Sequence, residues 1–345
     1  MSRDLIFGGL AGAASALLVM AAASSSLGLL LGYLAPLPLF FAGLTRGVMP
    51  ALVAAITGGA VSAVYGPVAA GMFLLLFGLP AFWLVRQALL ARPAAEAGPD
   101  AETLPASGSS IGGTAALEWY PVGSLVVWLV AWAAGLVIMA WLFTSGSGDG
   151  ETNGGLSGAL QPLLLQMFSA FPAADADRGT AANNAAELAT ALARIMPAVM
   201  AVSWMLMLTV NGVLAQGLAA MLKQNRRPMP RYGALTLPRF LAIAALVLFA
   251  AAWLLASKAG TSNASTVAMA LAAIAAFPMF LRGLAVVHAL AAIAPAKGLV
   301  LAAFYAALVV AGALVGILVV ILGLIEEWAG IRRRLAASGT SRESE

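Results

Sequence analysis

The first quarter of the chain carries almost no charge. Between Leu5 and Leu90 the formally charged side chains are Arg46 and Arg86, and small and aliphatic residues dominate the rest. A soluble helix needs a polar face, so this stretch cannot belong to a soluble domain. Each crossing of a bilayer needs about 20 apolar residues. The stretch divides into four runs of that length: Leu5–Ala23, Leu27–Leu44, Val48–Gly66 and Val68–Leu90.

The remainder of the chain repeats this pattern, and 62% of all residues are hydrophobic. Composition and run length therefore predict an all-α, polytopic transmembrane helical bundle with eight or nine spans, embedded in a lipid bilayer. The further apolar runs are Val122–Phe143, Ile195–Leu222, Phe240–Ser257, Ser265–Ile293 and Leu299–Ile325.

Composition also divides the chain into blocks. Residues 91–118 are rich in Pro, Gly and Ser and have too little apolar mass to fold, so they are interpreted as a flexible cytoplasmic linker. The linker separates a four-span N-terminal block, residues 1–90, from a C-terminal membrane block, residues 119–335. Residues 336–345 are interpreted as a disordered tail.

The C-terminal block contains a long acidic segment, residues 144–194, that is interpreted as lying outside the membrane. Within it, the apolar residues from Leu156 to Phe171 fall on one face at helical spacing. This pattern predicts an amphipathic helix that lies on the membrane or caps the bundle. A second helix is predicted to start at Asn184 and to continue into the sixth span.

Basic residues set the expected orientation. Arg3, Arg46, Arg86 and Arg92 fall on alternate links, which predicts that the N-terminus lies in the cytoplasm. The basic cluster Lys223–Arg231 matches a cytoplasmic loop between spans. Its composition also suits RNA or anionic lipid, but the loop interpretation suffices and no nucleic-acid partner is expected.

The C-terminus conflicts with this scheme. Nine full crossings from a cytoplasmic N-terminus place the arginines at 332–334 outside, against the positive-inside rule. Three explanations remain open. Ser265–Ile293 enters the membrane and returns at Phe277–Pro278, the protein has nine spans and an unusual tail, or one apolar run is divided wrongly.

A small set of residues inside the apolar runs suggests a ligand site. Tyr33, Pro36 and Pro38 interrupt the second run, and prolines free backbone carbonyls that must face protein or a cavity. Asn211 is a polar residue within the sixth run. It binds either a ligand or a neighbouring helix in this interpretation.

Arg282 and His288 complete the candidate ligand-binding set. Arg282 lies inside Ser265–Ile293, where an arginine needs a cavity or a partner, unless it simply ends a shorter span at Leu281. The freed carbonyls near Pro36 and Pro38, or an anionic ligand, are the expected partners, since the predicted spans contain no carboxylate. His288, the single histidine, has no second metal ligand in register and suits a structural hydrogen bond better than a metal site.

Signatures of enzymatic chemistry are missing from the sequence. It contains no cysteine, no metalloprotease or serine-hydrolase motif, no P-loop and no dinucleotide-binding fingerprint. We therefore expect no catalytic residues, no metal, no cofactor and no enzymatic activity.

Three stretches together resemble the YybS-like family of predicted bacterial membrane proteins, whose function is not established: Tyr33–Gly47, Arg282–His288 and Leu322–Leu335. This resemblance implies a location in the bacterial cytoplasmic (inner) membrane. The N-terminal block also distantly resembles the substrate-capture components of energy-coupling-factor transporters. That resemblance implies small-molecule binding and docking on a separate ATP-driven partner through small residues at every fourth position. Gly8, Gly12 and Ala16 have this spacing, which also permits close helix packing in lipid.

Two functions follow as expectations. The first is a membrane transport component that binds a small molecule and has no ATPase of its own. The second is a non-transporting membrane scaffold or assembly factor that works through its basic loop and tail.

Overall fold

The computed structural model describes residues 3–22, 25–93, 117–145, 155–169, 178–230, 233, 235–259 and 262–335. Most of the predicted linker (94–116), Phe171 and the tail (336–345) lie outside these residues. Nine helical segments in the described residues are long and apolar enough to cross a membrane. The protein is therefore an all-α polytopic membrane protein, as predicted.

Helices make up most of the described residues. In chain order they are α1 (Arg3–Ala22), α2 (Ser26–Gly32), α3 (Pro36–Arg46), α4 (Val48–Ser62), α5 (Pro67–Phe73), α6 (Leu79–Ala88), α7 (Val122–Ser145), α8 (Gly155–Ser169), α9 (Arg178–Met221), α10 (Arg239–Ala259), α11 (Asn263–Ala292), α12 (Lys297–Val310) and α13 (Gly312–Ala329). A 3₁₀ turn, Ala63–Tyr65, follows α4, and a π-helical turn, Leu74–Gly78, joins α5 to α6. Two strands, β1 (Ala91–Pro93) and β2 (Leu117–Trp119), pair antiparallel at the ends of the predicted linker.

The chain forms two compact units. Unit 1 consists of Met1–Leu129 and Leu206–Arg231, and unit 2 of Val130–Met205 and Tyr232–Glu345. The C-terminal part of α9, from Leu206 to Met221, therefore belongs with the first four spans. No local sequence pattern indicates this long-range association.

Helices α1 and α4 form the tightest packing in unit 1. Gly8 lies against the backbone of Pro50, and Gly12 lies against that of Ala54. Residue numbers rise together along both helices, so α1 and α4 run parallel, as the first and third of alternating spans must. The predicted small-residue face, with Ala16 fully buried, is thus covered by α4 and is not available to a partner protein.

Two glycines connect the spans of unit 1. Gly47 joins α3 to α4 with φ 104°, and Gly66 precedes α5 with φ 109°. Residues with a Cβ atom rarely adopt these backbone angles, so glycine permits the short links that the sequence predicts.

The ends of four helices, α1, α3, α6 and α9, meet at one end of unit 1. Asp4 at the start of α1 pairs with Arg46 at the end of α3, at 3.6 Å. Arg46 also contacts Gln224, just beyond α9, at 3.5 Å, and Arg227 donates to the Ala88 carbonyl at the end of α6, at 3.2 Å. All four ends carry the basic residues that the sequence assigns to one side of the membrane.

In unit 2, α11 is one continuous helix from Asn263 to Ala292, with Pro278 in its interior. The re-entrant alternative, with a return at Phe277–Pro278, is therefore wrong. A proline removes one backbone donor, which a helix of this length tolerates when neighbouring groups re-satisfy the freed carbonyl.

The last apolar run, Leu299–Ile325, is not one continuous helix. It forms α12 and α13, which meet at Ala311. The 14 residues of α12 extend about 21 Å, less than the hydrocarbon thickness.

Helix α13 packs antiparallel along α11, with Gly283 against Val319 and Gly323 against Met279. Beyond α13, the side chain of Arg332 donates to the carbonyls of Gly233 and Leu235, at 2.7 and 3.0 Å. The triple arginine therefore lies beside the chain entering α10, directly after the basic loop, and not at the far end of α10.

The predicted amphipathic helix is α8, and it packs on the N-terminal part of α9. Leu164 is buried against Ala189 and Ala193, while Gln161 donates to Thr190 at 2.9 Å. Helix α9 begins before the predicted Asn184 and contains 44 residues. At 1.5 Å per residue it extends about 66 Å, roughly twice the hydrocarbon thickness. The extra length supplies the surface on which α8 packs.

Candidate functional site

The second span is interrupted within its apolar length. Helix α2 ends at Gly32, residues 33–35 form a turn, and Pro36 begins α3. Proline has no backbone N–H, so Pro36 cannot donate the hydrogen bond that would continue the preceding helix. The sequence therefore places the break where the structure has it.

Side chains from two other helices bind the carbonyls at this break. Ser15 of α1 donates its hydroxyl to the Ala35 carbonyl at 2.6 Å. Asn211 of α9 donates its amide nitrogen, Nδ2, to the Tyr33 carbonyl at 2.8 Å and to the Met207 carbonyl at 2.8 Å. Both Ser15 and Asn211 are fully buried.

The amide oxygen of Asn211 is a second feature of the site. Oδ1 is buried and has no hydrogen-bond partner in the described part of the chain. A buried acceptor without a partner destabilises a protein by about 1–3 kcal/mol. Asn211 lies ten residues before the end of α9 at Met221, or about 15 Å along the helix, which is close to the middle of a bilayer.

The structure brings together part of the predicted ligand-binding set. Tyr33 and Asn211 are joined by a hydrogen bond, and Pro36 is buried beside them in sequence at the start of α3. Pro38 is half-buried on α3. The Tyr33 ring is exposed, so the site uses the backbone of this residue.

Arg282, in unit 2, has a different partner from the one expected. Its guanidinium forms an ion pair with Glu327 near the end of α13 and donates to the Leu237 carbonyl at 3.1 Å. The expectation that carbonyls near Pro36 and Pro38, or an anionic ligand, neutralise it is therefore wrong. The expectation that no span carries a carboxylate is also wrong, because Glu326 and Glu327 lie inside α13, itself a candidate span.

A second ion pair lies next to the first. Arg332 pairs with Glu326 at 2.9 Å, and the mostly exposed Arg239 approaches Glu327 at 3.6 Å. The network joins α11, α13 and the chain entering α10. Both glutamates are largely buried, so each is matched by a cation that offsets the loss of hydration.

His288 binds elsewhere on α11. Its Nδ1 donates to the Leu284 carbonyl at 2.9 Å, since a carbonyl can only accept, and its Nε2 lies 3.3 Å from the Tyr305 hydroxyl of α12. Six residues separate Arg282 from His288, so they project about 120° apart on the helix and do not form one site. The described residues contain no group of three or more metal-ligating side chains.

Sequence reasoning missed three residues of these sites. Ser15 carries no local signal, because a serine within a small-residue helix is unremarkable until the chain at Ala35 is placed beside it. Glu326 and Glu327 did carry a signal. They end the last apolar run and are opposite in charge to the buried Arg282.

The helices and buried polar contacts define a polytopic integral membrane protein. A protein-family model described as Predicted membrane protein (DUF2232) matches residues 107–326. The match covers more than half of the chain, so the protein belongs to this family. No curated protein and no solved structure matches the chain significantly.

Proposed function

We propose that this protein is a membrane transport component that binds a small polar molecule at the interruption of its second span. The observation that carries the proposal is the Asn211 amide oxygen, a buried acceptor without a partner among the described residues. A ligand that donates a hydrogen bond at this position replaces the missing partner. The proposed protein has no ATPase and no catalytic activity of its own.

The interrupted span supports this function. Transporters commonly bind substrates near the middle of the bilayer, where discontinuous helices present backbone groups to the substrate. Here α2 and α3 meet at such a break, and Asn211 and Ser15 bind two of the backbone carbonyls at it. These hydrogen bonds fix the position of one buried acceptor, Oδ1 of Asn211, that has no partner among the described residues.

The rival function is a non-transporting scaffold or assembly factor that works through basic residues. Two of those residues are engaged inside the protein. Arg227 is buried and donates to the Ala88 carbonyl, and Arg332 is bound by Glu326, Gly233 and Leu235. These contacts favour the transport proposal.

The distant resemblance to the substrate-capture components of energy-coupling-factor transporters implies a binding role. Docking on an ATP-driven partner through Gly8, Gly12 and Ala16 is not part of the proposal, because α4 covers this face. The proposed location is the bacterial cytoplasmic membrane. The N-terminus is proposed to lie inside, since the helix ends that carry basic residues lie at the same end of unit 1.

Thermal unfolding of the purified protein against a panel of vitamins, nucleobases and metal ions tests the proposal. A ligand of the site raises the unfolding midpoint of the native protein and has no effect on Asn211→Leu, which lacks the acceptor. The matched control is Ser15→Ala, which removes a hydrogen bond at the same break but leaves the acceptor. A ligand that stabilises Asn211→Leu as strongly as the native protein contradicts the assignment.

A further inference from the structure

Two arginines at the end of unit 1 carry charge that the protein does not neutralise. Arg46 has one ion-pair partner among the described residues, Asp4, at 3.6 Å, and both side chains are well exposed to solvent. Arg226 is exposed and has no ion-pair partner in the same part of the chain. In unit 2, by contrast, Glu326 and Glu327 neutralise the buried arginines.

The guanidinium group of Arg226 lies beside the last turn of α3, which ends at Arg46. The Nε of Arg226 donates to the Thr45 carbonyl at 3.2 Å, and its backbone N–H donates to the Leu44 carbonyl at 3.2 Å. A Cβ atom at Gly47 would lie 3.2 Å from NH1 of Arg226, so glycine lets the guanidinium lie against the chain. These contacts fix the group while leaving its terminal nitrogens for another acceptor.

Arg46 is fixed in a similar way. Its guanidinium lies over the Phe7 ring, 5.2 Å from the centroid, and contacts Gln224 at 3.5 Å. Its Nε is buried without a hydrogen-bond partner among the residues described. The group is therefore held at the same end of α3 with an unused buried donor.

We propose that Arg46 and Arg226 together bind one phosphate-type oxyanion at this end of the unit. Planar guanidinium groups bind phosphate oxygens through paired hydrogen bonds, and two of them exceed the charge of one weakly paired aspartate. The Nε of Arg226 caps the C-terminus of α3. The partial negative charge of a helix C-terminus is only about half a unit, so it does not neutralise the full positive charge of the guanidinium. Surplus charge and unused donors remain for an anion.

The position of the site defines two sources for this anion. The site lies where four membrane helices end, at the level of phospholipid headgroups, and basic pockets between spans bind anionic lipid on the cytoplasmic side. A free phosphate group offers the same chemistry from solution. This anion site is separate from Asn211 and does not depend on the proposed transport function.

Thermal unfolding of the full-length, delipidated protein in neutral detergent tests the inference. The probes are phosphatidylglycerol, phosphatidylcholine with the same acyl chains, and inorganic phosphate. We expect phosphatidylglycerol to raise the unfolding midpoint and phosphatidylcholine to have no effect. The concentration for half the shift should rise about tenfold in Arg46→Gln and in Arg226→Gln, the effect of losing one charge-assisted pair.

The matched control is Arg92→Gln, which removes one positive charge from an arginine already paired with Glu118 at 2.6 Å. It should respond to phosphatidylglycerol as the native protein does. If a glutamine variant does not fold, Arg46→Lys and Arg226→Lys replace it. They keep the charge but lose the planar fork, and we expect an intermediate loss of affinity.

The outcomes separate the possibilities. Stabilisation by phosphatidylglycerol that depends on Arg46 and Arg226 supports a lipid headgroup site. The same dependence with inorganic phosphate alone supports a site for a soluble phosphate. An equal loss in Arg92→Gln, or no stabilisation by either phosphate source, overturns the inference.

Discussion

The ion pair between Arg282 and Glu327 should be the most sensitive polar contact in unit 2. Both side chains are nearly buried, and Arg282 also donates to the Leu237 carbonyl. Replacing Arg282 with Gln leaves the Glu327 carboxylate with Arg239, which is 3.6 Å away and 89% exposed. Solvent screens such an exposed cation, so it compensates by less than about 1 kcal/mol.

Removal of one partner from a buried ion pair typically lowers the free energy of unfolding by about 3–5 kcal/mol. We expect about 3 kcal/mol for Arg282→Gln, since Arg239 offsets a small part, and a similar loss for Glu327→Gln. The double variant should lose less free energy of unfolding than the two single variants lose in sum, and the difference, the coupling energy, should be about 2 kcal/mol. The stability of Arg282→Lys should lie between those of the native protein and Arg282→Gln, because an ammonium keeps the charge without the planar fork.

Reversible unfolding in mixed detergent micelles, followed by tryptophan fluorescence, measures these differences. The matched control is Arg239→Gln, which removes the exposed member of the same network and should change stability by less than about 1 kcal/mol. A loss below about 1 kcal/mol in Arg282→Gln, or additive losses in the double variant, would refute the assignment of a buried, coupled pair.

Three further predictions concern packing and topology. Gly12→Leu should destabilise the protein by at least about 1–3 kcal/mol, because the added Cβ would meet the Ala54 backbone. Gly9→Leu should have a smaller effect, since the atom nearest to its Cβ would be a side-chain oxygen at 3.8 Å. Unfolding in mixed micelles compares the stability of the two variants. Leu164→Asp should release α8 and speed proteolysis of residues 155–169, whereas Leu163→Asp should not, because Leu164 is 6% exposed and Leu163 62%; equal proteolysis would contradict this packing. Labelling of single cysteines by an impermeant thiol reagent in intact cells should succeed in the outer segment and fail in the linker and basic loop, and the reverse pattern would overturn the topology. The labelled positions are Thr152 in the outer segment, Ser107 in the linker and Asn225 in the loop.

The sequence by itself determined the fold class and most of the helices. An apolar run of about 20 residues must satisfy its backbone internally, and in lipid a helix does so without help from distant residues. The break at Pro36 also follows from a local rule, because a proline has no backbone N–H with which to continue a helix. The small-residue spacing of Gly8 and Gly12 likewise indicates close packing but does not identify α4 as the partner helix.

Tertiary structure decided which polar groups meet. The partners of Arg282 are Leu237 and Glu327, each about 45 residues distant in the chain, and those of Asn211 lie at Tyr33 and within its own helix. Periodicity describes one helix at a time, so it shows that a polar group inside a span needs a partner but not which residue supplies it. Only the packing of α11 against α13, and of α9 within unit 1, brings these groups to hydrogen-bonding distance.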